Sequence, residues 1–136
     1  MGGDVDFHEQ GIEIGTTNIE LSTAAADDIL FNGLPAVFQG HVCHSQTVTR
    51  LPENTVHLAK NDFEPNHAFR IGSFAWGVQF HPEYDEDIMR AYAENMTEAI
   101  DKAGLEQNKI IRAVRKTPYA LKVLNRFGRL CLDQKG

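Results

Sequence analysis

The sequence predicts an α/β domain in which the strands come first and the helices last. Three observations carry this expectation. Short β-rich runs punctuated by Gly and Pro fill the first 80 residues, apolar residues recur at helical spacing from Ile88 onward, and little lies between the runs that could serve as crossover helices. A free-standing doubly wound domain alternates strands and helices. The observed order is unusual for a whole α/β protein and natural for a portion of one.

The elements follow in order. Gly11 to Leu21, "GIEIGTTNIEL", carries Ile12, Ile14, Ile19 and Leu21 as an extended segment kinked near Gly15. "DDILFNGLP", residues 27–35, reads as one short helical turn ended by Gly33 and Pro35. "AVFQGHVC", residues 36–43, and "TVHLA", residues 55–59, read as strands. Residues 68–71 and 74–80 flank Gly72-Ser73, a pair suited to a two-residue type II′ hairpin turn. In the second of these strands Trp76, Val78 and Phe80 share one face, and Gly77, Gln79 and His81 share the other. Asp85, Glu86 and Asp87 place negative charge at a helix start. Ile88, Tyr92, Met96 and Ile100 continue that helix, and Gly104 is its C-cap. A helix over 106–116 follows, and Thr117-Pro118 opens a last one whose apolar side is Leu121, Leu124 and Phe127.

Composition narrows the function classes. At 42% hydrophobic and 24% charged the chain has an ordinary globular balance. No apolar run approaches the roughly 20 residues that span a bilayer, and no basic-then-apolar leader pattern opens the chain. No membrane partner is therefore expected. Cys43 and Cys131 form neither a disulfide framework nor a zinc spacing, so a reducing, cytoplasmic location is the expectation. A net charge of −6 argues against a nucleic-acid partner. The charge is uneven: residues 1–103 carry −12 and residues 104–136 carry +6. The expectation is one domain over 1–136, with 104–136 as a basic helical extension that folds against the acidic body or solvates a helix.

The strongest chemical signal is "AWGVQFHPEYDED", residues 75–87. Pro82 disfavours the α region for His81, so the histidine sits extended at a strand end. If the chain stays extended, His81 and Glu83 project to one side. A carboxylate there accepts an imidazole N–H, fixes its tautomer and stabilises the imidazolium, as in a nucleophile–His–acid triad. The plainer alternative is a strand-end histidine beside an acidic helix start.

"WGVQFHPE" resembles the signature near the C-terminal end of class I glutamine amidotransferases, and "GGDV", "EIGTTNIEL", "GHVCHSQTVTRLP", "AFRIG" and "TPYALKVLNRFGRL" are similar to further family segments in the same order. The style is closest to stand-alone members that resemble the amidotransferase domain of GMP synthase. The resemblance implies a flavodoxin-like, three-layer α/β fold built on an open, mostly parallel sheet. It implies hydrolysis of the glutamine side-chain amide through a Cys-His-Glu triad, with ammonia passed to an acceptor and no cofactor. His81 would relay protons and Glu83 would orient it. His44, Ser45 and Gln46 match the glutamine-binding loop, with Ser45 and Gln46 in place of the common Gly-Asp.

The family's nucleophile stretch, Gly-x-Cys-x-Gly-x-Gln, does not occur in the sequence. In family order it belongs before Gly2. The expectation is a partial domain that holds His81 and Glu83 without their thiol and is inactive alone. Its partners would be glutamine, a missing N-terminal half, or a second copy of itself. Two other readings stand beside this one. Cys43, beside His44, could act as a substitute nucleophile, or the chain could be a non-catalytic, self-associating module of the same fold. A metal site is not expected, because His41 and Cys43 make only two ligands and His44 faces away from His41. His8, His57 and His67 read as ordinary surface or loop histidines.

Overall fold

The computed structural model describes residues 2–133; Met1 and residues 134–136, the end of the basic extension, lie outside the described residues. Among the described residues seven strands come first: β1 (Asp4–Phe7), β2 (Glu13–Leu21), β3 (Val37–His44), β4 (Gln46–Arg50), β5 (Thr55–Lys60), β6 (Ala68–Ile71) and β7 (Ala75–Val78). Four helices follow: α1 (Glu86–Asn95), α2 (Thr97–Lys102), α3 (Gln107–Ala113) and α4 (Pro118–Asp133). A 3₁₀ turn, Thr23–Asp27, precedes hydrogen-bonded turns over residues 28–34, within the 27–35 segment expected as a helical turn. One sheet has the order β3-β2-β5-β6-β7, and β1 with β4 forms a separate ribbon. All pairings among the described strands are antiparallel. This corrects the mostly parallel sheet that the resemblance implies. Parallel neighbours need crossovers of a dozen or more residues, and most of these connections are shorter.

β2 organises the sheet. It pairs with β3 from Glu13↔His44 to Glu20↔Val37, and its last residues pair with β5. Strand alternation then sends side chains to two cores. Ile19, Phe38 and Val42 join Leu30, Phe31, Leu58, Ala68, Phe80, Ala120 and Val123 on one side. Ile14 and Cys43 join Met89, Ile100 and Val114 on the other. α1–α3 therefore cover one face, while α4 and the segment between β2 and β3 cover the opposite one. The expected kink falls at Gly15, whose φ of 115° suits a residue without a side chain. Arg126 of α4 donates to the carbonyls of Leu30 and Asn32, so the basic helix grips the acidic body directly.

The sheet is curled, and residues 79–81 close it. The Gln79 amide donates to the His67 carbonyl at 2.8 Å, continuing the pairing on the β6 side. The His81 amide donates to the His41 carbonyl at 2.7 Å, on β3, the strand at the opposite edge. Between the two, Phe80 points into the first core and lies against Gly40, where a Cβ would sit 3.3 Å from the Phe80 Cβ. A second tie is Asp28, fully buried, which accepts from Arg70 Nε at 2.9 Å and Trp76 Nε1 at 3.1 Å. It pins the β2–β3 connection to β6 and β7.

Some local expectations change. β1 and β4 were not expected as strands; their polar, exposed pairing carries little hydrophobic pattern. Ile71 pairs with Ala75, so the hairpin loop holds three residues, Gly72 to Phe74, rather than two. The single helix expected from 85 to 104 breaks at Met96. The Gln107 side chain supplies the reason: its amide donates to the Ala93 and Glu94 carbonyls and so caps α1 from α3.

Two glycine substitutions separate packing from backbone propensity. Gly40→Ala must push Ile19 or Phe80 aside, since its Cβ would lie 3.2 Å and 3.3 Å from them, and should cost about 1–3 kcal/mol in urea unfolding. Gly128→Ala, on α4 with nothing within 4 Å, should stabilise by about 0.5–1 kcal/mol in the same assay.

Candidate functional site

His81 reaches its position through the sheet closure, and Pro82 then turns the chain. The Tyr84 amide donates to the His81 carbonyl at 3.3 Å, so residues 81–84 form a turn rather than the extended run expected. The two side chains meet all the same, with His81 Nδ1 at 2.8 Å from Glu83 Oε1. An Nδ1–H donated to Glu83 leaves the Nε2 lone pair outward, and Nε2 has no hydrogen-bond partner among the described residues. The imidazole is half-buried and the carboxylate more open.

Aromatic stacking fixes the ring plane. Tyr84 stacks on His81 with centroids 4.2 Å apart and planes 10° apart, and Tyr92 stacks on Tyr84 at 5.1 Å. Burial and the neighbouring Tyr92 push the Tyr84 hydroxyl well above its ordinary range, so it stays neutral. Asp85 caps α1 by accepting from the Ile88 amide at 2.9 Å. The histidine is thus backed by a helix that starts five residues later.

His44, Ser45 and Gln46 lie at the end of β3, where β4 leaves the sheet to pair with β1. The Ser45 carbonyl accepts from the His8 amide at 2.8 Å, and the Gln46 carbonyl accepts from His44 Nδ1 at 2.9 Å. The Gln79 side chain reaches the same Gln46 carbonyl at 3.4 Å, joining this loop to the His81 segment. His44 Nε2 lies 2.8 Å from Glu13 Oε2, and His67 Nε2 lies 3.2 Å from that same oxygen.

Burial alone would raise the Glu13 carboxyl, but the neighbouring His44 and His67 imidazoles and the Asn61 amide outweigh it and hold the group at about 2. Burial works against charge on His44, yet Glu13, the Gln46 carbonyl and Glu64 together raise it above its ordinary value. His67 lies in the loop before β6, one of the two places expected for it, but it is fully buried rather than at the surface. Asn61 explains the burial: its side-chain oxygen accepts from the Phe63 and Glu64 amides and folds the segment before β6 inward. His8 is half-buried against Phe63, and His57 bonds the Pro65 carbonyl.

Glu13, Glu64 and His67 were missed by sequence reasoning. One signal was present, because a charged residue between Ile12 and Ile14 must face the side opposite to them. Its partner His44 appears only with the register of β2 on β3. On the other face of β3, His41 Nδ1 lies 3.1 Å from the Thr16 hydroxyl, and burial lowers its basicity. Cys43 shares that face, packed on Met96.

The family model for class-I glutamine amidotransferases matches residues 1–100. Among curated relatives, a GMP synthase of Porphyromonas gingivalis is 43% identical over 72 residues, covering 52% of this chain and 14% of that protein. Gamma-glutamyl peptidase 5 of Arabidopsis thaliana is 30% identical over 90 residues, covering 65% of this chain and 36% of its own length. The chain thus spans a small part of the first and about a third of the second. Among solved structures, a glutamine amidotransferase of Methylobacillus flagellatus superposes with a TM-score of 0.75 at 20% identity, over 94% of this chain and 56% of that one. One from Thermotoga maritima gives 0.72 at 23% identity, over 93% and 53%. Both likenesses bear on the fold. With its model matched over residues 1–100 of 136, the class-I glutamine amidotransferase family is the one to which this chain belongs.

Proposed function

We propose that this chain supplies the proton relay and part of the glutamine-binding wall of a glutamine-hydrolysing site whose thiol comes from outside these 136 residues. The observation that carries the reading is the 2.8 Å His81–Glu83 contact with Nε2 left open. In this scheme His81 Nε2 takes the proton of the incoming thiol, and the thiolate attacks the glutamine side-chain carbonyl. His81 returns the proton to the departing ammonia, which leaves a glutamyl thioester. Water, deprotonated by the same imidazole, releases glutamate and restores the thiol. Glu83 holds the tautomer and balances the imidazolium throughout. The relatives that are glutamine-hydrolysing GMP synthases support glutamine-dependent GMP synthesis as the whole protein's task. Two free cysteines fit a reducing, cytoplasmic setting.

Cys43 is a poor substitute for the absent thiol. Burial raises its pKa, its Sγ lies 3.4 Å from Met96 Sδ, and it faces away from His44. Reactive thiols instead have nearby positive charge and a lowered pKa. Iodoacetamide at neutral pH should therefore label the exposed Cys131 well before Cys43. Fast labelling at Cys43 would revive the substitute-nucleophile reading.

Activity assays test the main reading. The purified chain should release no more glutamate from glutamine than His81→Ala does, and release above that control overturns the proposal. Reconstituted with a separately expressed segment bearing Gly-x-Cys-x-Gly, the chain should gain glutaminase activity. There His81→Ala should cost about 10²–10⁴-fold in kcat with KM little changed. A second reading, the self-associating module, is favoured by the exposed Val5 and Phe7 of β1 and by Leu121, Leu124 and Phe127 on α4. Light scattering should then show concentration-dependent dimers; a monomer at high concentration removes that reading.

A further inference from the structure

A cluster that the hydrolysis scheme leaves unused lies where β2, β3 and the lead into β6 converge. One ligand atom each from Glu13, His44 and His67 falls within 4.8 Å of the others. We propose that these three side chains bind a divalent cation of the zinc class, with the fourth position open to water. This goes beyond the glutamine-hydrolysis reading and does not depend on it.

The geometry of each ligand supports the assignment. Donor atoms about 2.0–2.1 Å from a tetrahedral ion lie roughly 3.3 Å from one another. Here His44 Nε2 and His67 Nε2 lie 2.8 Å and 3.2 Å from Glu13 Oε2, close to that spacing. The other atom of each of two ligands is already held from outside, as is usual around protein-bound metals. His44 Nδ1–H donates to the Gln46 carbonyl at 2.9 Å, which leaves its Nε2 lone pair aimed at Glu13. The Asn61 amide donates to Glu13 Oε1, which leaves Oε2 for the ion.

A lone pair facing a carboxylate oxygen at 2.8 Å requires something positive between them, either a proton or a metal. Two observations favour the metal. His67 is fully buried, and neither of its nitrogens meets hydrogen-bond geometry among the described residues, although Nε2 lies within ion-pair distance of Glu13. A buried polar group left so is destabilising, and coordination through Nε2 would give that nitrogen a partner. Glu64, also fully buried, turns an unpartnered Oε2 to within 3.9 Å of His44 Nδ1. Two buried carboxylates, Glu13 and Glu64, drawn into one cluster call for compensating positive charge, which a divalent ion supplies. Imidazole with carboxylate suits zinc, cobalt and nickel better than magnesium or calcium. Glu13 also lines a cleft of about 260 Å³ together with Glu20, Asn61 and Asp62.

Isothermal titration of Zn²⁺ into the full chain, stripped with chelator, tests the proposal. One equivalent should bind with a rise in Tm, and Co²⁺ in its place should give the visible bands of a tetrahedral site. His67→Gln should weaken zinc at least ~100-fold, and Asn61→Ala about 10–100-fold. X-ray absorption on the zinc-loaded wild-type chain should show two imidazoles, oxygen and no sulfur; this keeps the test decisive if a variant fails to fold. Absence of stoichiometric binding, a sulfur shell, or a folded His67→Gln that binds zinc as wild type does would each overturn it.

Discussion

The hydrogen bond from the His81 amide to the His41 carbonyl is the constraint on which the rest of the structure depends. It joins the segment after β7 to β3, the two extremes of a five-stranded sheet, at 2.7 Å. A flat sheet would hold these strands about four spacings apart, near 19 Å. Twist alone does not bring them together. Phe80 does, by filling the inside of the curl against Phe38 and Gly40 while its neighbours Gln79 and His81 bond outward to the two rims. Burying Phe80 and placing His81 are therefore one event.

The two faces of the β2–β3 pair divide the chemistry. The side of Glu13 and His44 gathers buried carboxylates and imidazoles, which make one another tolerable through short contacts. The opposite side holds His41 and Cys43, and there burial keeps both groups uncharged. Strand alternation is what separates adjacent residues into such different media. Cys43 and His44 touch in sequence and share almost nothing in environment.

This division shows how far the sequence could be read. The His81-Pro82-Glu83 pairing, the strands-then-helices order and the Gly15 kink were legible because each rests on local chemistry: a proline, an alternation, a residue free of Cβ. The antiparallel pairing and the curl were not, because they depend on which strands meet. The same holds for Glu13, which reads as an ordinary strand carboxylate until its register with His44 is known. His67 illustrates another limit. Its burial is set by Asn61 folding a polar segment inward, and composition alone points such a segment outward. The α1–α2 break was hidden because its cause, Gln107, lies ten or more residues further along the chain.

α1 is clamped at both ends, by Asp85 at its start and by Gln107 at its finish. Tyr92 on this helix and Tyr84 just before it stand behind the His81 ring like books on a shelf. With Glu83 on Nδ1 and the backbone tied to β3, the imidazole has little freedom left to lose. Immobilising a side chain on association costs on the order of 0.5–1.5 kcal/mol. A surface that docks against this ring meets a group already at rest, so little ordering remains to be done when the contact forms.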